Sequence, residues 1–341
     1  MKYRKIREGK VEIFIPDINK YQAPVFYNPD AEFLRDISVA VLSIFKEKIK
    51  EKINVLDALS ASGISGIRYK KEVGNLNLTL NDKNKDAVSL IRKNIKHNNI
   101  NAEICNEDAN LLMRKRLFDF IDIDPFGSPC VYMDSVAHSI KFNRLLAVTA
   151  TDTGALSGSF PNACLRKYGI RATKKQYYKE TGVRVLITFI MNSLARYNKS
   201  FKPILYLSHK HYYRIYGIVQ GSMHLTRQLK KYKYVDGIGT IYLGEIKDND
   251  FIKKIIDKIR EFNFTQSKKE IDLLNKILEE IDEPFYYDLN KMHIIKVPKV
   301  DDIIFKLIKR GYKASRTSLC GSGIKTNAKL KIKNGLLIVE K

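Results

Sequence analysis

The sequence predicts an α/β fold, with a parallel β-sheet in the first two thirds of the chain and a smaller α+β part after it. Three observations predict it. Apolar segments alternate with amphipathic ones through the first 220 residues, the texture changes near residue 222, and hydrophobic residues make up 44% of the chain. Strands that alternate with helices are typical of βαβ units. At 341 residues, the chain is long enough for two domains.

The first strands are predicted from apolar segments that end in small or acidic residues. Residues 53–60 read INVLDALS, residues 76–82 read LNLTLND and residues 118–124 read FDFIDID. Residues 86–100 lie between the second and third of these, and their apolar positions share one helical face. Residues 144–152, RLLAVTATD, predict a further buried strand because they are apolar and β-branched.

The sheet continues after a long helix predicted over residues 181–197, with two adjacent strands over 203–208 and 212–221. The chain then becomes polar, basic and rich in turn residues. We therefore place a domain boundary near residue 222, which gives domains 1–222 and 223–341. The second domain is expected to hold helices over 251–264 and 269–281 and a terminal strand pattern over 329–341.

The charge of the chain predicts a polyanionic partner. There are 61 Lys and Arg against 37 Asp and Glu, a net charge of +24. Residues 151–235 contain sixteen Lys or Arg and two acids, which is +14 in that stretch alone, and ten tyrosines interleave with them. Cations for phosphates and aromatic rings for bases are typical of RNA binding. We therefore favour nucleic acid over the alternative of a merely solvated basic face.

Several classes of protein are excluded or disfavoured. No apolar run approaches the roughly 18 residues of a membrane span, and the N-terminus lacks the apolar stretch of a secretory signal. The four cysteines form no CxxC pair, which disfavours a zinc site or a disulfide framework and suits a reducing compartment. We expect a cytoplasmic protein with no membrane contact and no metal, and we predict no protein partner.

Polar residues at the ends of the first predicted strands indicate a nucleotide-like ligand. Residues 57–66, DALSASGISG, form a glycine-bearing strand-to-helix turn, although its G-x-x-G spacing alone favours an ordinary tight turn. Asp82 ends the next strand, where an acid accepts hydrogen bonds from ribose hydroxyls. Asp108 follows as a candidate acceptor for the adenine amine. These residues fit an adenosine-containing cofactor and leave nicotinamide dinucleotides and S-adenosylmethionine both open.

The segment Asp124-Pro125-Phe126 after the strand 118–124 points to methylation of an amine. The Asp124 carboxylate and the Pro125 carbonyl are two acceptors for the hydrogens of an exocyclic amine. Phe126 offers a ring to hold a flipped base. The alternative is a turn with a capping Asp.

Cys130 is a second candidate for catalysis, as a nucleophile for methylation at a pyrimidine carbon. Nothing nearby in sequence activates its thiol, so a buried structural cysteine is favoured.

Seven blocks of this sequence resemble the tRNA (guanine26-N2)-dimethyltransferases of archaea and eukaryotes. They are GKVEIFIP (9–16), VFYNPDAEFLRD (25–36), VLDALSASGISGIRY (55–69), FDFIDIDPFGSP (118–129), TATDTGALSG (149–158), ACLRKYG (163–169) and SRTSLCGSGIKTNA (315–328). The resemblance implies a class I S-adenosylmethionine-dependent methyltransferase fold, Rossmann-like, with a family-specific C-terminal tRNA-binding domain. It implies transfer of one or two methyl groups to N2 of guanosine 26 in tRNA.

The resemblance also implies site residues. Asp124 is implied as the catalytic carboxylate beside Pro125 and Phe126, and Phe26 as the ring that stacks on the target guanine. The implied S-adenosylmethionine contacts are Arg35, Arg68, Asp82, Asp108 and Ala109. The strand ends alone indicate Asp82, Asp108 and Asp124, whereas Arg35, Arg68 and Phe26 come from the resemblance only.

Two departures from the family pattern bear on these expectations. Some members carry a cysteine cluster in the C-terminal domain, but residues 224–239 contain no cysteine, so we expect no zinc here. Ser65 stands where many members have a basic residue, which leaves a contact from that position in doubt.

Other functions stay open from the sequence. An adenine or DNA amino methyltransferase would use a similar Asp-Pro-aromatic motif, and a non-catalytic RNA-binding module would keep a vestigial cofactor fold. The segment 315–328 is likewise open, because its cations either grip phosphate or dock the C-terminal domain.

Overall fold

The computed structural model describes residues 2–18, 22–209, 211–295 and 297–340. The strands are β1 (Tyr3–Glu8), β2 (Val11–Pro16), β3 (Ile53–Asp57), β4 (Leu76–Asn81), β5 (Glu103–Cys105), β6 (Phe118–Ile123), β7 (Ile140–Ala150), β8 (Ser200–His209), β9 (Tyr212–Gln220), β10 (Tyr232–Val235), β11 (Gly239–Tyr242), β12 (Tyr287–Asp288), β13 (Ala314–Thr317), β14 (Cys320–Thr326), β15 (Leu330–Lys333) and β16 (Leu336–Val339). The α-helices are α1 (Glu32–Glu47), α2 (Ile64–Arg68), α3 (Lys85–Asn98), α4 (Ala109–Lys115), α5 (Met133–Ser139), α6 (Thr153–Leu156), α7 (Pro161–Tyr168), α8 (Tyr178–Ala195), α9 (Leu225–Leu229), α10 (Asn249–Phe262), α11 (Ser267–Glu279) and α12 (Val300–Lys309).

A central sheet organises the molecule. Within the described residues, the largest sheet has seven strands in the order β5-β4-β3-β6-β7-β9-β8. Its first five strands run parallel, and β9 runs antiparallel to both β7 and β8. Strands that are buried on both faces are almost continuously apolar, and Phe120, Ile121 and Ile123 of β6 have no exposed surface. The predicted α/β class with a mostly parallel sheet is confirmed.

The direction of winding changes between β3 and β6. From β3 the chain forms β4 and β5 on one side, and it then returns to form β6 on the other side of β3. In the register of these two strands, Asp57 at the end of β3 lies opposite Asp122 of β6. Ligands of open α/β sheets bind outside the carboxyl ends of the strands at such a switch point. The fold therefore places a candidate site at the ends of β3 and β6.

The chain beyond residue 222 packs in two ways. Helix α10 lies against α1, and its residues Ile252, Ile255 and Ile259 belong to the same apolar cluster as the central sheet. The sheet β12-β14-β13 and helix α12 have a second, smaller cluster. The core members of that cluster are Leu289, Ile303, Leu307, Ile324, Ala328 and Leu330. The boundary near residue 222 stays a prediction, and the apolar packing is continuous across it.

The segment 315–328 contributes its central cation to the junction between the two parts of the chain. Lys325 on β14 is 3% exposed, and its Nζ lies 3.2 Å from Glu180 of α8 and 3.3 Å from Glu280 at the end of α11. Arg316 stays half exposed and pairs with a carboxylate of α12. Of the two open alternatives for this segment, the position of Lys325 supports docking.

Two features are absent from the part of the chain that the structure describes. No helix there combines the length and apolar character that a bilayer span requires. The same residues hold no group of three or more His, Cys, Asp or Glu side chains placed to bind a metal ion.

Candidate active site

Asp124 lies immediately beyond β6, at the switch point of the sheet. Its side chain is reached by solvent, yet neighbouring protein groups partly desolvate the carboxylate. This loss of water raises the pKa of Asp124, and the neighbouring Asp122 carboxylate adds to the effect. The Arg214 guanidinium and the nearby Thr149 hydroxyl oppose it. Asp124 is therefore an accessible hydrogen-bond acceptor, and these neighbouring groups determine whether it is ionised.

Two phenylalanines that lie 100 residues apart in the chain meet beside Asp124. Phe126 is 75% exposed, and Pro125 between it and Asp124 is buried. The Phe126 ring contacts Phe26 edge to face, with centroids 4.6 Å apart and the planes at 78°. Exposed rings held in this way offer aromatic surface to a planar base. The structure thus brings together the predicted Phe126 and Phe26, which only the resemblance had indicated.

The turn after β3 is shaped by backbone rather than by large side chains. Ala61 and Gly63 both have positive φ, +46° and +81°. The Ala61 amide donates to Asp82 Oδ2 at 2.8 Å, which ties this turn to the end of β4. A Cβ on Gly66 would lie 2.2 Å from Leu80, so the second glycine of the G-x-x-G allows α2 to pack onto the sheet.

Asp82 and Asp108 lie on the same edge of the sheet as Asp124. Both oxygens of Asp82 accept a backbone amide, and Asp108 caps α4 by accepting from Asn110 N at 2.8 Å. Burial raises the pKa of the Tyr132 phenol, and the Asp108 and Asp82 carboxylates raise it further. The three side chains are therefore neighbours. Ala109, the first residue of α4, is buried beside them. Sequence reasoning missed Tyr132, since a tyrosine six residues beyond Phe126 carries no motif.

Arg35 and Arg68 share one carboxylate. Arg35 binds Glu8 through two hydrogen bonds of 2.6 and 2.7 Å, and Arg68 Nη1 donates to the same Glu8 at 2.9 Å. Arg68 has no exposed surface and also pairs with Asp36 and Glu72, at 2.6 and 2.7 Å. A direct cofactor contact from the Arg68 guanidinium would need one of these ion pairs to open. Both cofactor roles stay predictions.

A buried polar layer lies beneath this edge. Arg214 of β9 is 1% exposed and donates to Asp122 Oδ2 at 2.9 Å, and the Tyr69 hydroxyl donates to the same oxygen at 2.6 Å. Burial and the Asp122 and Asp124 carboxylates raise the pKa of Asp57 to about 8. Sequence reasoning missed Arg214 because a single Arg in a predicted strand reads as a surface residue.

Cys130 does not have the environment of a nucleophile. Burial raises the pKa of its thiol to about 11, and the hydrogen bond with Ser128 only partly opposes this effect. A reactive cysteine needs a stabilised thiolate. The structure therefore favours the interpretation of Cys130 as a packed side chain.

In the sheet, five parallel strands are followed by β9, an antiparallel strand inserted between β7 and β8. This order of strands defines a class I methyltransferase fold. Comparisons identify the group within that class. A model of the N2,N2-dimethylguanosine tRNA methyltransferase family matches residues 9–236 and 219–335, and the chain belongs to this family.

Relatives match over nearly the full length. The chain is 38% identical to the tRNA (guanine(26)-N(2))-dimethyltransferase of Archaeoglobus fulgidus, over 95% of each chain. It is 35% identical to the enzyme of the same description from Methanosphaera stadtmanae, over 95% of this chain and 94% of the relative. Its structure is similar to that of Trm1 from Pyrococcus horikoshii in complex with S-adenosyl-L-methionine. The TM-score is 0.87 and the identity 34%, covering 96% of this chain and 97% of the other. The predicted family and fold class are confirmed.

Proposed function

We propose that this chain transfers one or two methyl groups from S-adenosylmethionine to the N2 amine of guanosine 26 in tRNA. The observation that carries the proposal is the position of residues 124–126 at the switch point, against Phe26 and on the same edge as Asp82 and Asp108. Family membership supports the substrate, and the similarity to Trm1 in complex with S-adenosyl-L-methionine supports the cofactor.

The residues along the edge fit an adenosine-containing cofactor. Each carboxylate oxygen offers about two acceptor positions, and each Asp82 oxygen uses one for a backbone amide. The remaining positions suit the two hydroxyls of a ribose. Asp108 Oδ2 is left to accept from the adenine amine, with Ala109 packed beside it. We place Arg35 against the cofactor as well, and Arg68 supports it through their shared Glu8.

The chemistry at Asp124 follows from the electronic structure of the substrate. The lone pair of the guanine amine is delocalised into the ring, which makes the nitrogen a poor nucleophile. The Asp124 carboxylate and the Pro125 carbonyl accept its two hydrogens and favour the pyramidal geometry that exposes the lone pair. S-adenosylmethionine, when bound, would supply the electrophilic methyl group for this nitrogen. Asp124, whose pKa is raised, is suited to take the proton that the amine then loses.

The two phenylalanines hold the base. A base inside the tRNA fold cannot reach Asp124, so it has to leave its stack and enter the site. Phe26 and Phe126 supply the aromatic surface that compensates for the lost stacking. After one transfer the amine keeps a single hydrogen, so a second methylation requires the product to turn and present that hydrogen to one of the two acceptors.

The basic stretch 151–235 is only partly a binding surface. Three of its cations, Arg184, Lys199 and Arg214, are buried. Four of its ten tyrosines are core residues as well: Tyr168, Tyr206, Tyr213 and Tyr216. Four more are partly buried against the core, so most of the predicted interleaving serves packing: Tyr177, Tyr197, Tyr212 and Tyr232. The exposed remainder still favours tRNA, and it includes Tyr234, which is 74% exposed.

Two lysines from different parts of the chain meet on one of these rings. Lys174 and Lys291 place their Nζ atoms 5.2 and 4.6 Å from the centre of the Tyr178 ring. Both side chains are exposed. Lys291 already pairs with Asp288 at 3.6 Å, so we assign Lys174 to the tRNA backbone. Because the substrate is tRNA, we place the reaction in the cytoplasm.

Labelled S-adenosylmethionine and two transcripts test the proposal. The full chain is incubated with unmodified tRNA carrying guanosine or adenosine at position 26, and the nucleosides of the product are separated by mass. We expect N2-methylated guanosine only from the first transcript. Methylated adenosine, methylation elsewhere, or tRNA binding without any transfer would each contradict the proposal and point to one of the alternatives left open by the sequence.

A further inference from the structure

Two threonines at the end of β7 hold the two ends of the segment that carries Asp124 and Phe126. Thr149 and Thr151 are alternate residues of an extended chain, so their side chains project to the same side. They belong to the block TATDTGALSG, to which neither motif reasoning nor the family resemblance gave a role.

Thr149 connects a buried cation to the reacting carboxylate. It is 1% exposed, and its Oγ1 accepts a hydrogen bond from Arg214 Nη1 at 2.7 Å. The Thr149 hydroxyl hydrogen is thus left to donate, and the hydroxyl lies near the Asp124 carboxylate, whose pKa it lowers. A hydroxyl that accepts from a guanidinium is polarised and becomes a stronger donor. Arg214 itself is fixed by Asp122 at 2.9 Å and Ser38 at 3.2 Å.

Thr151 fixes the backbone directly after Phe126. Its Oγ1 accepts from the Gly127 amide at 2.6 Å, and its own amide donates to the Gly127 carbonyl at 2.8 Å. Gly127 has a φ of +78°, a turn conformation that this reciprocal pair of bonds holds. Because Phe126 is 75% exposed, the backbone on either side of it sets the position of its ring.

We infer that Thr149 and Thr151 are positioning residues for methyl transfer. Thr149 orients the Asp124 carboxylate, and Thr151 fixes the turn that carries Phe126. The inference rests on the proposed function, because it assigns these side chains to the same amine-methylating site.

The two threonines are expected to affect the pH dependence of the methylation rate differently. The charged and titratable groups that face Asp124 are Asp122 on its own strand, Asp57 at the end of β3, Arg35 on α1, and Tyr212 and Arg214 on β9. Burial and the carboxylates favour protonated Asp124, whereas the arginines and the Thr149 hydroxyl favour the ionised form. Removing the hydroxyl therefore moves the acid limb of the rate profile to higher pH. Thr151 bonds only to backbone, so its loss leaves that limb in place.

The test uses two matched pairs of variants in the full chain, Thr149→Val with Thr149→Ser and Thr151→Val with Thr151→Ser. The measurements are kcat and KM for tRNA across pH, cofactor affinity by calorimetry, and thermal unfolding. Thr149→Val should lower kcat at neutral pH roughly 10- to 100-fold, as expected for one hydrogen bond to a charged group, and move the acid limb upward. Thr151→Val should lower kcat several-fold without that movement. Both serine variants should restore the wild-type values, and cofactor affinity should stay unchanged in all four.

Each outcome of these measurements either supports the inference or overturns it. Valine variants with the wild-type kcat and pH profile, or serine variants as impaired as the valine ones, would overturn the inference. If Thr149→Val does not fold, Thr149→Ala takes its place under the same criteria, and the exposed Thr151 pair is judged independently. A wild-type chain that methylates no tRNA would instead count against the proposed function, so the two failures are distinguishable.

Discussion

Two clusters of buried charged side chains in this molecule both combine cations with carboxylates, but they differ in the ratio of cations to acids. At the junction of α8 with the C-terminal part, the cations Lys325 and Arg184 face the carboxylates of Glu180 and Glu280. Burial raises the pKa of Glu180, but the Lys325 and Arg184 charges outweigh it and hold that pKa below its usual value. This junction cluster is balanced, two cations against two acids.

The carboxyl edge of the sheet has an excess of acid. Asp57, Asp122 and Asp124 lie close enough to affect one another, and Arg214 is the cation among them. As a result, the pKa values of Asp57 and Asp124 are raised rather than lowered. Balanced clusters stabilise the folded chain, whereas perturbed acids in an accessible cleft are typical of functional sites. We propose that the difference separates the region that stabilises the folded chain from the region that reacts.

The largest effect is expected at the junction cluster. Lys325→Met removes the cation that Glu180 and Glu280 share and leaves Arg184 alone against Glu180, which should lower the free energy of unfolding by about 3–5 kcal/mol. The measurement is urea unfolding, with kcat determined on the folded protein and expected to stay near the wild-type value. Arg316→Met on the same segment is the control, because an exposed ion pair contributes at most about 1 kcal/mol. Equal losses in the two variants would contradict a structural role for Lys325.

The next effect is catalytic. Asp124→Asn keeps the shape of the side chain but removes the charge that accepts the amine hydrogens, so kcat should fall about 100- to 1000-fold with little change in stability. Asp119→Asn on the same strand is the control. Asp119 pairs with Lys141 and Arg144 away from the site, so its loss should affect unfolding and leave kcat unchanged. An active Asp124→Asn enzyme would place the reaction elsewhere.

Asp57 should make stability depend on pH. Its folded pKa of about 8 lies well above the value of roughly 3.9 in an unfolded chain. The folded state therefore binds a proton that the unfolded state has lost, and the stability that this proton contributes is present in full below about pH 4 and is lost as the pH rises to about 8. Asp57→Asn should flatten that decline in urea unfolding measured across pH. The pKa of Asp119 is lowered in the folded state, so its contribution to stability is lost as the pH falls rather than as it rises. Asp119→Asn should therefore flatten the loss of stability at acidic pH. An unchanged slope in Asp57→Asn would contradict the assignment.

The smallest effect concerns the surface. Lys174 has no carboxylate at ion-pair distance among the described residues, whereas Lys253 on α10 pairs with Asp250 at 3.5 Å. Lys174→Gln should weaken tRNA binding a few-fold and reduce the slope of log affinity against log salt by about one. Lys253→Gln should leave both unchanged. Binding measured over a range of salt concentrations decides between a tRNA contact and a solvated face.

The sequence predicted the fold largely through buried strands. β3, β6 and the second half of β7 were predictable because a strand covered on both faces is a short apolar run, whereas β4 was predicted from the alternation of its sequence. Helix α1 was not predicted, although its sequence is amphipathic, and the surrounding elements bury almost all of its residues.

The site was predictable to the extent that its residues follow strands. Asp82, Asp108 and Asp124 carried that signal in the sequence. Phe26 and Arg35 did not, because their partners lie 100 and 27 residues away and only the tertiary fold brings them together. Arg214 and Thr149 were invisible for a different reason. Their importance comes from burial beneath Asp124, which no local pattern records.

The central claim is that the ionised Asp124 carboxylate at this acid-rich edge performs the reaction. The most direct measurement is the single-turnover rate of tRNA methylation as a function of pH, in the wild-type chain and in Asp124→Asn. We predict a rate that rises with pH through an apparent pKa above the ordinary value of an aspartate, and a residual Asp124→Asn rate without that limb. A limb that persists in Asp124→Asn, or a wild-type rate that is independent of pH, would contradict the claim.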